Sequence, residues 1–294
     1  MRDLDTSSGH HRKAGPTRRA VGLGAALSLF GALHARSSAL PRVIPDGLVV
    51  YYGDPTGLAL PDRSLLVLDS DVKGPVSIYR GRDQTILGYM SLVEVHSGRS
   101  FYPSLVRQGL VGELNKNWPD ARFIDIRDER WAAWVTTQLI PGILAKGFDG
   151  IFLDTLDSAE FLESKGSYGT IAAAADLIRR IRQAFPSVPI MANRGYGVLP
   201  RVPGQFDMLL GESVRATFDN KTRVYRRVSE ADCAWQCRHM QLARQRDPKL
   251  LLFSLDYWDP KDRTGIEQLY AEERSSGFIP YVATADLTQI IERK

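Results

Sequence analysis

Acidic and amide side chains stand directly after or just beyond short apolar runs in this 294-residue chain: Asp69, Glu94, Asp154, Asn193, Glu212 and Asp256. Carboxylates gathered around one opening repel one another. Such a ring makes sense where it binds cations or hydroxyl-rich ligands, or runs acid–base chemistry. Glycoside hydrolysis needs two carboxyl groups flanking one bond; one protonates the leaving oxygen, and the other attacks the anomeric carbon or activates water. Asp154, in Phe152-Leu153-Asp154-Thr155-Leu156-Asp157, and Glu212, in Leu210-Gly211-Glu212-Ser213, are the candidates. Plainer roles exist for both: Asp154 as the cap of the next helix, and Glu212 as an ion-pair partner of Arg215. Tyr51, Tyr52, Tyr89, Tyr196, Tyr257 and Trp258 fall at or just past the same runs, where aromatic faces suit the C–H faces of sugar rings. Of these, Tyr89 is the one most expected in the core.

The elements that must position these residues repeat in kind. Nine apolar runs rich in Val, Ile and Leu occur, at 48–52, 65–68, 86–90, 123–126, 150–153, 190–192, 208–210, 250–255 and 279–282. Unbroken apolar runs are typical of parallel strands buried on both faces. Helical patterns separate several of them. Trp131–Lys146 ends at Gly147, and Thr170–Phe185 ends at Pro186. In the second, Ile171, Ala174, Ala175, Ile178 and Ile181 share one face, with Arg179, Arg180, Arg182 and Gln183 largely opposite. Alternation of this kind predicts βαβ units, and the length fits a single (β/α)8 TIM-type barrel of roughly 250 residues. One run is surplus to eight strands. The run 123–126 is the one to discount, since a long loop and no clear helix separate it from Met90. The strands then end near Gly53, Asp69, Ser91, Asp154, Asn193, Glu212, Asp256 and Thr284. In such barrels the strand C-termini carry the active site.

Apolar residues make up 44 % of the chain, and no run approaches the ~20 residues of a spanning helix. Residues 1–39 read as a leader: a polar, basic start, paired Arg18-Arg19, an apolar stretch from Val21 to Leu33, and small residues before Leu40. The paired arginines predict a twin-arginine export signal, and so a periplasmic or secreted protein without stable membrane insertion after leader removal. The leader holds six basic and two acidic residues, net +4, which equals the formal charge of the whole chain. The remainder, 40–294, is near neutral and reads as one barrel domain, expected to be a monomer. A folded part without net positive charge argues against nucleic-acid binding. Cys233 and Cys237 are too few for a zinc site; a disulfide and two free thiols are both open to them.

The segments Tyr51-Tyr52-Gly53, Gly88 to Val95, Gly147 to Asp157, Ala192-Asn193-Arg194-Gly195, Gly211-Glu212-Ser213 and Asp256-Tyr257 carry a family resemblance in their order. From about Gly47 to Leu287 the chain resembles the endo-α-1,4-polygalactosaminidases, glycoside hydrolase family 114, and the related hydrolase domain of the Pel polysaccharide protein PelA. Gly-Phe-Asp-Gly-Ile-Phe-Leu-Asp-Thr-Leu-Asp, 147–157, is the most specific stretch. The resemblance implies a metal-independent barrel, with no cofactor, acting on a partly deacetylated polymer of galactosamine and N-acetylgalactosamine. It implies Asp154 as the strand-end aspartate and Glu212 as the catalytic glutamate, with Tyr52, Asp69, Glu94, Asn193 and Asp256 lining the cleft. Asp157, Tyr196 and Tyr257 complete the expected substrate contacts. An acidic cleft suits a chain of protonated amines. Val93 departs from the family, which usually has Gly before the glutamate matching Glu94. The chain is too short for a deacetylase domain like that of PelA, so a stand-alone hydrolase is expected.

The leading expectation is therefore an endo-acting, retaining glycosidase with Asp154 as nucleophile and Glu212 as acid/base, roles that could be exchanged. Two others stand beside it: a non-catalytic polysaccharide-binding barrel, since folds outlast activities, and a hydrolase for another α-linked galactoside.

Overall fold

The computed structural model of the chain describes residues 45–58 and 60–291; the leader expected at 1–39 lies outside the described residues. Eight strands form one sheet in chain order: β1 (Gly47–Tyr51), β2 (Ser64–Asp69), β3 (Thr85–Ser91), β4 (Gly150–Asp154), β5 (Ile190–Asn193), β6 (Met208–Glu212), β7 (Leu251–Tyr257) and β8 (Ile279–Ala283). Each pairs in parallel with the next. β8 returns to lie beside β1, so the sheet curls into a nearly closed TIM-type barrel. Its strands bury almost every side chain, from Leu65, Leu66 and Leu68 to Phe152 and Phe253. That double burial is why the runs are apolar without alternation.

The run 123–126 is indeed outside the barrel. Ala121–Ile124 is the middle strand of a small antiparallel sheet with Glu94–His96 and Val111–Leu114, inserted between β3 and β4. The same crossover carries Tyr102–Arg107 and a longer helix. That helix runs as Glu129–Trp134, a π-helical turn at Val135–Leu139, and Ile140–Ala145. Pro141 lies just past the wide turn and has no N–H to offer the preceding carbonyls. Helices Leu156–Ser164 and Thr170–Ala184 join β4 to β5. A hairpin (Ala216–Asp219 with Val224–Arg227) and helix Glu230–Arg246 join β6 to β7, and Arg263–Ser275 joins β7 to β8. Two crossovers shrink to 3-10 turns, Val76–Tyr79 and Leu199–Arg201, and the β1–β2 connection carries no helix among the described residues.

The helix at 170–184 has its expected apolar face, but Arg182 departs from the expectation of a solvated side. Its side chain is 8 % exposed and its Nη2 lies 2.6 Å from Asp207 Oδ2, beneath the barrel where β6 begins. Its other N–H groups donate to the carbonyls of Gln205 and Val188, at 3.0 and 2.9 Å. A long side chain near the C-terminal end of a helix reaches carbonyls that helical periodicity does not show. Among the described residues no helix is long and apolar enough to cross a membrane.

Candidate active site

β4, β5 and β6 are consecutive in the barrel and end in Asp154, Asn193 and Glu212. Asn193 therefore stands between the two acids. Its Nδ2 donates to Asp154 Oδ1 at 2.8 Å and to Glu212 Oε2 at 2.7 Å. Two oxygens held by one nitrogen are at most about 5.5 Å apart, the sum of those legs. Neither acid takes its plainer role. The residue before helix Leu156–Ser164 is Thr155, with no side-chain cap bond, and Arg215 pairs with Glu272 and Glu273 instead of Glu212.

Tyrosines complete the mouth. Tyr89 OH donates to Asp154 Oδ2 at 2.9 Å, and Tyr257 OH donates to Glu212 Oε1 at 2.7 Å. Tyr52 packs edge-on against Tyr89, ring centroids 5.1 Å apart. Burial and the nearby carboxylates push all three phenols well above their ordinary range, so they remain donors. Tyr89, expected in the core, turns its hydroxyl into the site. Burial first, and the charge of Glu212 second, raise the Asp154 carboxyl to about 6, against the opposing hydrogen bond from Asn193.

The backbone is strained where these side chains emerge. Thr155, Arg194 and Ser213 each follow one of the three site residues, and have φ of 62, 53 and 54°. Left-handed backbone at non-glycine residues costs energy and gathers at functional sites. Thr155 is held there by its own hydroxyl, which accepts from Leu92 and Val93 N–H at 3.2 and 3.0 Å, tying the end of β3 to that of β4. The glycine before Glu212 serves packing: a Cβ on Gly211 would come within 2.5 Å of Met240 Sδ. None of these devices is legible as a motif, apart from the polar residue after each strand.

The other expected contacts divide. Asp69, at the end of β2, is engaged by Arg99 at 2.6 and 3.1 Å. The same Arg99 reaches Asp71 and lies over the Tyr89 ring, so it is a rim residue that the strand pattern missed. Asp157 is half exposed, with Arg194 Nη1 3.4 Å away. Glu94 is buried and accepts from Asn115 Nδ2 at 3.0 Å and from the Ser158 hydroxyl, which makes it a tie between the small sheet and a helix. Tyr196 is buried with its hydroxyl on Gln236 Oε1, 3.1 Å away. Asp256 requires a correction: it faces away from the mouth. β7 runs one residue past the expected end, so Tyr257 points inward and its neighbour Asp256 points behind the wall. There, 1 % exposed, it accepts the backbone N–H groups of Arg215 and Ala216 at 2.7 and 2.8 Å. Cys233 and Cys237 are free thiols. Among the described residues no group of three or more His, Cys, Asp or Glu is arranged to hold a metal ion.

Two carboxylates that share one amide at the C-terminal ends of neighbouring barrel strands, one of them raised to about 6 by burial and the other's charge, can exchange a proton across a bound ligand. Comparison with known proteins identifies the family to which this barrel belongs. The model of glycoside-hydrolase family GH114 matches residues 52–294. The glycoside hydrolase domain of PelA from Pseudomonas aeruginosa superposes with a TM-score of 0.73 at 25 % identity, over 83 % of this chain and 97 % of that one. Ega3 of Aspergillus fumigatus, solved with galactosamine, shares the fold with a TM-score of 0.65 at 15 % identity, over 87 % of this chain and 98 % of its own. An uncharacterized Thermotoga maritima protein is 26 % identical over 190 residues, which are 60 % of this chain; the match spans only 57 % of that relative's length. With a barrel of this topology and a family match across nearly all of its described length, the chain belongs to glycoside hydrolase family GH114.

Proposed function

We propose that the protein is an endo-acting, retaining glycoside hydrolase that cleaves an α-1,4-linked polymer of galactosamine and N-acetylgalactosamine. The observation that carries the chemistry is the shared Asn193 amide, which keeps the facing oxygens of Asp154 and Glu212 within about 5.5 Å. Retaining enzymes hold their carboxyl groups about 5–5.5 Å apart, and inverting ones about 6.5–9.5 Å. In the first step Asp154 attacks the anomeric carbon while Glu212 gives its proton to the departing oxygen. In the second, Glu212 takes a proton from water, whose oxygen displaces Asp154 from the sugar. Tyr89 and Asn193 donate to Asp154 throughout, stabilising its charge when the covalent bond breaks. The family supports the substrate class, and carboxylates around the mouth favour protonated amines. A leader at 1–39 would deliver the enzyme outside the cytoplasm, where such polymers lie.

One observation favours exchanged roles: the raised Asp154 carboxyl holds a proton more readily than an ordinary carboxylate, as a general acid must. Azide rescue separates the two. With Asp154 as nucleophile, azide restores turnover to Asp154→Gly and yields a glycosyl azide of inverted configuration. With the roles exchanged, that product comes from the Glu212 variant. Mass spectrometry of fragments from a partly deacetylated galactosamine polymer, beside chitosan and a neutral galactan, tests the substrate. Full activity of both Asp154→Asn and Glu212→Gln would sink the assignment.

A further inference from the structure

We propose that the rim beside Glu212 carries a sugar subsite built on Trp235 and His239, which takes a protonated amino-sugar unit of the same polymer at a distance from the bond that is cut. The proposal rests on the function given above.

Trp235 lies in helix Glu230–Arg246 and is 49 % exposed. It is nonetheless fixed. Its ring meets that of Tyr196 edge-on at 5.3 Å and that of His239 at 4.1 Å, and His239 Nδ1 lies 2.8 Å from the Trp235 carbonyl. Tyr196 packs on His239 as well, at 5.5 Å. From this cluster a hydrogen-bonded path runs to the catalytic strand. Tyr196 OH donates to Gln236 Oε1, and Gln236 Nε2 donates to the carbonyl of Ser213 at 2.8 Å. Ser213 follows Glu212 directly, and both Tyr196 and Gln236 are buried. An exposed indole locked to the strand that presents the catalytic glutamate is a pre-organised platform.

The surroundings select the occupant. Glu160 is half-buried and accepts the Gly197 N–H at 2.7 Å, beside Tyr196 in the chain. Asp157 pairs loosely with Arg194 on the same rim. A sugar ring can lie on the indole face, and an ammonium on that ring is attracted both to the π-cloud and to the two carboxylates. An N-acetyl group keeps only the first contact, so the subsite favours the deacetylated unit.

Binding read without hydrolysis tests this. In a Glu212→Gln background, the affinity for galactosamine oligomers of increasing length is measured with and without Trp235→Ala. Affinity should step up once the chain reaches the rim. Trp235→Ala should reduce that step by about two- to fivefold, the worth of an exposed cation–π contact, and short oligomers should bind equally to both proteins. Trp235→Phe should keep most of the step, and fully N-acetylated oligomers should show little of it. In the active enzyme, Trp235→Ala should raise KM on the long polymer and leave kcat in place. Equal affinities at every length, or an equal loss on short and long oligomers, would overturn the subsite. A wild-type protein that binds the oligomers but releases no fragments would overturn the hydrolytic reading alone.

Discussion

Asn193 decides what the two acids can do. One amide nitrogen donates to both, which offsets part of their repulsion and draws them to a fixed separation. Asn193→Ala should lower kcat/KM by about 10²–10³, the scale of losing one donor aimed at developing charge. Losing a hydrogen bond that favours the ionised form should also raise the Asp154 carboxyl further, so the acidic limb of the pH–rate profile should move to higher pH. An unmoved limb would show that Asn193 does not govern this titration. Asp154→Asn should abolish turnover and stabilise the fold at neutral pH. The wild-type carboxyl, raised to about 6 by burial and by Glu212, resists the ionisation that in an unfolded chain is half complete near pH 4. The folded state therefore loses stability as pH rises through that window. Removing the charge should give back about 1–3 kcal/mol at pH 7 and nothing below pH 4, as chemical denaturation at the two pH values would reveal.

At the scale of elements, the barrel is stapled at both ends. Asp256 behind the wall holds the turn after β6, and so the strand end that carries Glu212, through two backbone N–H groups. Asp256→Ala leaves both N–H groups buried without a partner. About 2–4 kcal/mol of stability should go with it, together with much of kcat; Asp256→Asn, which keeps an acceptor, should be milder. A rise in KM with unchanged stability would instead mark Asp256 as a substrate contact. At the opposite end Arg182 joins the helix at 170–184 to Asp207 and to carbonyls of two loops. Breaking a buried pair from one side costs about 3–5 kcal/mol, so Arg182→Ala should lower the melting temperature strongly. The mouth is remote from that staple, so kcat/KM of the protein that remains folded should be near wild type.

For the whole molecule, the buried carboxyls set the dependence on pH. Asp154, Asp256 and Glu273 are all held above the ordinary carboxylate range, chiefly by burial; Asp256 and Glu273 also face each other. Their contribution is present at low pH and lost as pH rises through the raised values. Exposed acids such as Asp125, Asp128 and Asp286 are held low by their hydrogen bonds, and act in the opposite sense as pH falls. Exposed pairs contribute little, so the buried set should prevail near neutrality. The melting temperature should fall steadily from pH 5 to pH 8, and a profile rising over that range would contradict this account.

The eight strands, their order and the ring of polar residues after them could be read from the sequence, because parallel strands buried on both faces demand unbroken apolar runs and the chain must turn polar where they end. Asp154, Asn193 and Glu212 were legible for that reason, and the resemblance of the segment at 147–157 pointed to the family. What the sequence could not set was direction. A one-residue difference in the extent of β7 sends Asp256 behind the wall and Tyr257 into the mouth, and Tyr89 looks like core until its hydroxyl meets Asp154. Arg182, Arg99 and the Tyr196–Trp235–His239 cluster depend on partners 25 to 43 positions away in the chain. Local patterning records which residues are apolar, but only closure of the barrel decides which polar atoms meet.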